Sequence, residues 1–271
     1  MVELVASYKR IRFIMITLVS PAKKLDFSHS DIPLQFSQCD FLNKSQILID
    51  ETKKMSISEL KTLMKISDKL AETNSERFKN WYQPFTKDNA KQAILTFKGD
   101  TYVGLNAEDF TNKDFQYAQD HFRILSGLYG ILRPLDLIQP YRLEMGTKLE
   151  NPNGSDLYDF WGDEISKKLN STLKDHATKV ILNCASIEYF KSVDNNVLDA
   201  TIVSPVFKDI KNGQVKIISF FAKKARGMMA RFVIQNRIDE PDDIIQFNDA
   251  GYTYNPSEST PRNPVFIRAE A

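Results

Sequence analysis

The chain has 271 residues, 42% of them hydrophobic and 26% charged, with 36 Lys and Arg against 35 Asp and Glu. That length suits one large domain or two small ones, and the apolar share is enough to bury a full core. A formal net charge of +1 excludes a surface that is basic all over, so any nucleic-acid binding requires charge gathered on one face.

Met1–Ile14 reads MVELVASYKRIRFI, with too short an apolar run and no A-x-A-like site for a signal peptide. A cleaner strand opens at Met15, which marks residues 1–14 as a dispensable extension and 15–271 as the folded unit. Ile16–Val19 is the buried part of that strand, and it runs into a loop at Ser20-Pro21. Ser45–Lys54 reads as a helix, and a second follows Ser56, with Glu59 at capping-box spacing. Asp68–Tyr82 continues helical and ends near Pro84. Ala93–Phe97 and Thr101–Leu105 read as short strands around the turn Lys98-Gly99-Asp100. Asn112–Asp120 is helical, while Phe122–Leu125 is too short for its period to separate strand from helix. Asp156–Leu173 reads as one helix, Lys179–Leu182 as a strand and Ser186–Val193 as a short helix. Ala200–Val206 and Gln214–Phe221 read as strands of a hairpin turned by Gly213. Lys223–Arg237 is a strong helix, followed by a tail rich in Asn, Pro and Ser. No linker, repeat or run of about 18 apolar residues occurs. The expected architecture is one mixed α/β domain with a central sheet, helices around it and no transmembrane helix.

Four segments carry chemical information. In KKARGMMARFVIQNR (Lys223–Arg237) a helical wheel puts Ala225, Met228, Met229, Phe232 and Val233 on a buried arc. Lys223, Lys224, Arg226 and Arg231 fall opposite, with Gly227, Ala230 and Ile234 among them. Small residues between cations let a backbone or a phosphate approach closely, so this face is either a solvated basic surface or an anion site. In SGLYG, Gly127 and Gly130 are either ordinary turn residues or a backbone N–H cradle for phosphate, followed by Arg133. PYRLEMGT (Pro140–Thr147) reads as a possible strand with Arg142 and Glu144 on one side, Tyr141 and Leu143 on the other. Arg142 is there either salt-bridged or held by Glu144 for a phosphate. NCASIEY (Asn183–Tyr189) joins a strand to a helix, where α/β folds line ligand crevices; a Ser186 N-cap explains it equally well.

No G-x-S-x-G elbow, P-loop or H-E-x-x-H occurs, so no reaction is read from the chain. Cys39 and Cys184 do not make a disulfide framework, and the histidines His29, His121 and His176 stand at no metal-ligand spacing. The expectation is a reduced cytoplasmic protein with no metal and no cofactor.

SPAKKLDF, FKGDTYVGL, RILSGLYGILRPLDLIQPYRLEMGTKL, LYDFWG, EYF and FFAKKARGMMARF together resemble the YaaA family of bacterial peroxide-stress proteins, from Met15 to about Arg237. The resemblance implies protection against hydrogen peroxide, limited DNA damage, lower free iron and binding of duplex DNA with little sequence preference. It implies an unusual α/β fold with a positively charged cleft and a helix-hairpin-helix-like element. Two departures stand out: residues 1–14 precede the family start, and Cys184 sits in NCAS where N-L-A-S is the family pattern, which argues against a shared redox use of that thiol. On this reading Lys23 and Lys24, which follow one strand end, rim a single cleft with Lys223, Lys224, Arg226 and Arg231. Gly127, Gly130, Arg133, Arg142 and Gly227 complete the nucleic-acid contacts of a monomer. The competing reading is an enzyme acting on a nucleotide or base, in which Asp26, Tyr141, Glu144, Asn183, Ser186 and Glu188 converge with Lys23, Arg142 and Lys224 in one polar pocket. Iron handling is the third reading, and the scarcity of His and Cys weighs against soft-ligand iron.

Overall fold

A computed structural model describes residues 14–29, 32, 35–174 and 179–269. Residues 1–13 of the expected extension lie outside it. Ile14 does not belong to that extension, because its backbone opens the first strand opposite Lys179.

The central sheet has five strands, in the spatial order Gly130–Leu132, Phe122–Ser126, Ile14–Val19, Lys179–Cys184, Thr201–Val203. All run parallel except the edge strand Gly130–Leu132. Ile14–Val19 occupies the middle because Met15, Ile16, Leu18 and Val19 are fully buried, as a strand covered on both faces requires. Phe122–Leu125, ambiguous by period, is a strand buried at every position. A second sheet of four strands packs Phe207 and Phe266 against Phe247, with Tyr252 edge-on to Phe207. There Asp209, 4% exposed, takes the Arg268 guanidinium at 2.6 Å and the Tyr252 hydroxyl at 3.1 Å, so its buried charge is compensated.

Several expected elements differ. Thr101–Leu105 is no strand: Asp100–Leu105 is helical, and its β-branched residues are overridden by packing against the long helix Ser219–Asn236. Ala93–Thr96 is a buried helical turn with only Phe97–Lys98 extended. The helix expected over Asp156–Leu173 breaks at Gly162, whose φ of 47° is left-handed, into Leu157–Trp161 and Glu164–Leu173. The hairpin pairs Gln214–Lys216 with Val206–Lys211 around Asn212 and Gly213, both at positive φ. Thr201–Val203 belongs instead to the central sheet, since the chain changes sheets at Ser204-Pro205.

The long helix packs differently from its wheel. Gly227, Ala230 and Ile234, expected among the cations, are buried, together with Ala225, Met228, Met229 and Val233. A Cβ built on Gly227 would overlap the Thr101 carbonyl, and one on Gly104 would overlap the Lys224 carbonyl. Two glycines thus bring two helix backbones into contact, and the backbone that approaches between the cations is the chain's own. Gly227→Val should lose about 3 kcal/mol by overpacking, which no gain of about 1 kcal/mol in helix propensity offsets. At about 2–4 °C per kcal/mol the net loss of about 2 kcal/mol should lower the melting midpoint by roughly 4–8 °C. Lys224→Ala, on the exposed side of the same helix, should stay within about 0.5 kcal/mol of the parent. Equal midpoints for the two variants in a thermal melt would show that the helices do not cross at Gly227.

Candidate functional site

The connections leaving Ile14–Val19 and Lys179–Cys184 run in opposite directions across the sheet. Their adjacent C-terminal ends are therefore a topological switch point, where parallel sheets open a crevice. A cavity of about 470 Å³ occupies it. Its closed end is tied by Ser20, whose Oγ accepts the Ser186 N–H at 2.9 Å and donates to Ser186 Oγ at 3.2 Å. The Tyr102 hydroxyl donates to the Ser20 carbonyl at 3.1 Å and fixes the helix Asp100–Leu105 to the same strand end. Ser186 also caps the turn Ile187–Phe190, so its N-cap function and its place in the crevice coexist.

The segment Tyr141–Glu144 forms another wall. Among the described residues it pairs with no strand, yet its burial alternates, Tyr141 and Leu143 buried and Arg142 and Glu144 half-buried, and all four contribute to the lining. Arg142 reaches Glu144 at 3.2 Å and Lys23 reaches the other carboxylate oxygen at 2.8 Å. Arg142 Nε is buried without an acceptor. The Tyr141 hydroxyl shares a 2.7 Å hydrogen bond with Ser126. Glu188 accepts the Gly146 N–H at 3.0 Å.

The long helix supplies Lys223 and Arg226 to the lining, opposite Lys23 and Lys24. Residues from both expected strand ends therefore surround one opening. Of the pocket candidates, Tyr141, Glu144, Ser186 and Glu188 are also in the lining. Asp26 and Asn183 are not: Asp26 accepts Ser28 at 2.6 and 2.9 Å, and Asn183 is occupied by Ser204 and the Ala185 N–H. Lys224 is exposed on the same helix, outside the cavity.

Four other candidates are redirected by their surroundings. Gly127 and Gly130 are buried in the turn of a β-hairpin, not in a hairpin between helices. A Cβ on Gly127 would overlap the Leu143 carbonyl, and one on Gly130, at φ 70°, would come 2.7 Å from the Trp161 ring. Their N–H groups cannot meet a phosphate; Gly127 instead seats the segment that carries Arg142 and Glu144. Arg133 lies at the far end of the sheet, held by Asp136 at 3.0 Å and the Gln38 carbonyl at 2.6 Å. Arg231 donates to the Leu105 and Asn106 carbonyls at 3.3 and 2.7 Å, neutralising the end of the helix Asp100–Leu105.

Sequence reading missed Lys98, Asp100 and Tyr102 as lining residues. They lie in FKGDTYVGL, whose assignment as strand, turn and strand hid the helix that presents Asp100 and Tyr102 beside the extended Lys98. The lining as a whole has four lysines and two arginines against Asp100, Glu144 and Glu188. Among the described residues Lys24, Lys223 and Arg226 have no carboxylate within 4.0 Å.

Cys184 closes the cavity floor at 2% exposure. Burial pushes its thiol from 9.0 up to about 12, with nearby Arg226 opposing the shift. Burial, and after it the Asp136 charge, also raises the Cys39 thiol. The thiolate is the reactive form, so neither sulfur is a nucleophile at neutral pH. A proton held more tightly in the folded chain stabilises it below the unfolded value of 9.0, and that contribution is lost as the pH climbs toward 12. Burial raises Tyr102, Tyr129 and Tyr141 in the same sense. Urea midpoints should therefore drop as the pH rises above about 9. Ellman's reagent should find no thiol in the native protein near roughly pH 8 and both after unfolding. A native thiol that titrates within seconds would contradict the closed floor.

Comparison with known proteins agrees with the motifs. The family model described as peroxide stress protein YaaA matches residues 15–258. A UPF0246 protein of Colwellia psychrerythraea (strain 34H / ATCC BAA-681) is 56% identical over 257 residues, covering 95% of this chain and 100% of that protein. A match over most of the chain, with the cavity-lining segments inside it, makes this chain a member of the peroxide stress protein YaaA family.

Proposed function

We propose that the protein serves the oxidative-stress response by holding the phosphate backbone of duplex DNA on the cations around this cavity. Membership of a peroxide-stress family supports the stress role. The observation that carries the DNA reading is the group Lys24, Lys223 and Arg226, cations without carboxylate partners around one opening of a chain whose net charge is only +1. Exposed Lys224 extends the group along the long helix. Contacts of this kind position a duplex without reading its bases. On this reading the protein acts as a cytoplasmic monomer. Lys23 contributes less, because Glu144 already holds it.

Each phosphate contact releases condensed counterions and adds about 0.9 to the slope of log affinity against log salt. Replacing Lys223 and Lys224 together by Ala should weaken binding to all duplex sequences alike and flatten that slope by about two. Fluorescence anisotropy with a labelled duplex across a salt series measures both, and circular dichroism confirms the fold. Unchanged affinity and slope in a folded double variant would remove the helix from the binding surface.

A further inference from the structure

The lining is richer than a backbone contact needs. A phosphate-tracking surface has no use for an enclosed, largely apolar floor, yet Tyr102, Tyr141, Leu143, Cys184 and Tyr189 are each under 9% exposed and still line the cavity. The hydroxyls of Tyr102 and Tyr141 are already engaged by Ser20 and Ser126, so these residues offer ring carbon to an occupant. The cavity's volume of about 470 Å³ lies within the range of small-ligand sites, roughly 300–1,000 Å³. It sits where open parallel sheets bind their ligands.

The polar groups point to a specific kind of occupant. Arg142 is clamped on one side by Glu144, which Lys23 holds in turn, while its Nε is buried with no acceptor. That nitrogen is sealed from the cavity, so Arg142 meets an occupant through the part of its guanidinium that leaves the side chain 17% exposed. Arg226 and Lys223 face the same space without carboxylate partners. A guanidinium fork beside ammonium groups matches a phosphate monoester. Asp100 and Glu188 add acceptors for N–H or O–H groups of the remainder of the ligand. An anion at one end, a planar apolar body and peripheral donors together describe one chemical unit.

We propose that the cavity binds a single nucleoside phosphate unit, its phosphate on Arg142, Lys223 and Arg226 and its base against the tyrosine-lined floor. The proposal rests on the nucleic-acid reading for its ligand class. The unit has two sources with the same chemistry: a free mononucleotide, or a nucleotide everted from a strand held on the surrounding cations. Eversion by a strand requires a pocket that accepts the unstacked base, and this cavity provides one.

Isothermal titration with inorganic phosphate, the four nucleosides and their 5′-monophosphates tests the free source. A duplex with 2-aminopurine opposite an abasic site tests the strand-borne source through its fluorescence. At least one nucleotide should bind ten-fold or more tightly than both its nucleoside and inorganic phosphate, or the 2-aminopurine signal should change on binding. Arg142→Gln and, separately, Arg226→Gln should each weaken that response ten-fold or more. The second variant guards against misfolding of the first, since Arg226 is not fully buried. Inorganic phosphate binding as tightly as the nucleotides would overturn the proposal, leaving a generic anion site. So would a lack of binding by every nucleotide with an unchanged 2-aminopurine signal. If the duplex still binds with its steep salt slope in that case, the backbone reading survives without the pocket. Nucleotide binding without any duplex binding would establish the free source and overturn the DNA reading instead.

Discussion

The close crossing of Asp100–Leu105 and Ser219–Asn236, made through Gly104 and Gly227, fixes most of what surrounds the cavity. Each glycine presents no side chain to the other helix's carbonyl, Gly227 to Thr101 and Gly104 to Lys224, so the separation of these helices is set by main-chain atoms. That contact brings Lys223 and Arg226 to one wall while Asp100 and Tyr102 form another. Arg231 reinforces it by neutralising the carbonyls that end the shorter helix. The long helix also reaches the second sheet, where Phe232 meets Phe247 at 5.7 Å. The same helix therefore joins the two sheets and carries two of the six lining cations.

Charge in the cavity is arranged at two levels of constraint. Arg142, Glu144 and Lys23 are locked to one another, on a segment seated by Gly127 in the hairpin core. Lys24, Lys223 and Arg226 have no such partners among the described residues. The first group suits recognition of fixed geometry, and the second suits long-range attraction of an anion. The buried thiol below them is held protonated by its surroundings, so membership of a peroxide-stress family does not translate here into an exposed sulfur that meets peroxide.

Much of this was legible in the sequence because local chemistry and packing agreed. The alternation Tyr141, Arg142, Leu143, Glu144 told correctly which side chains are the more buried, even though no strand partner exists among the described residues. The first strand's end at Val19 was readable from an apolar run that stops at Ser20-Pro21, whereas the second strand, read as ending at Leu182, runs two residues further to Cys184. What failed were the cases in which a distant contact decides. Thr101 and Val103 favour a strand, but the crossing at Gly104 imposes a helix. Gly127, Gly130 and Gly227 all signalled close approach, yet a glycine does not say what approaches: here it is Leu143, Trp161 and Thr101 of the same chain. Arg231 looked available because its carbonyl partners lie 125 and 126 positions away, and Arg133 because the Gln38 carbonyl lies 95 positions away, although its carboxylate partner Asp136 is only three residues on.

The position of Ile14–Val19 also dictates the order in which the molecule can be completed. This strand is made early, but its neighbours are Phe122–Ser126 and Lys179–Cys184, and the Ser20 to Ser186 bond spans 166 positions. At synthesis rates of about 5–20 residues per second, the emerging strand waits on the order of 10 to 30 s for its last partner. Until Phe122–Ser126 is made, a segment apolar but for Thr17 has two unpaired edges, and one edge stays unpaired until Lys179–Cys184 follows, a state open to wrong pairing with other chains. High contact order of this kind slows folding, because distant ends must meet before any contact rewards them. The crevice, assembled from the first strand and from residues beyond position 220, is among the last parts of the protein to exist.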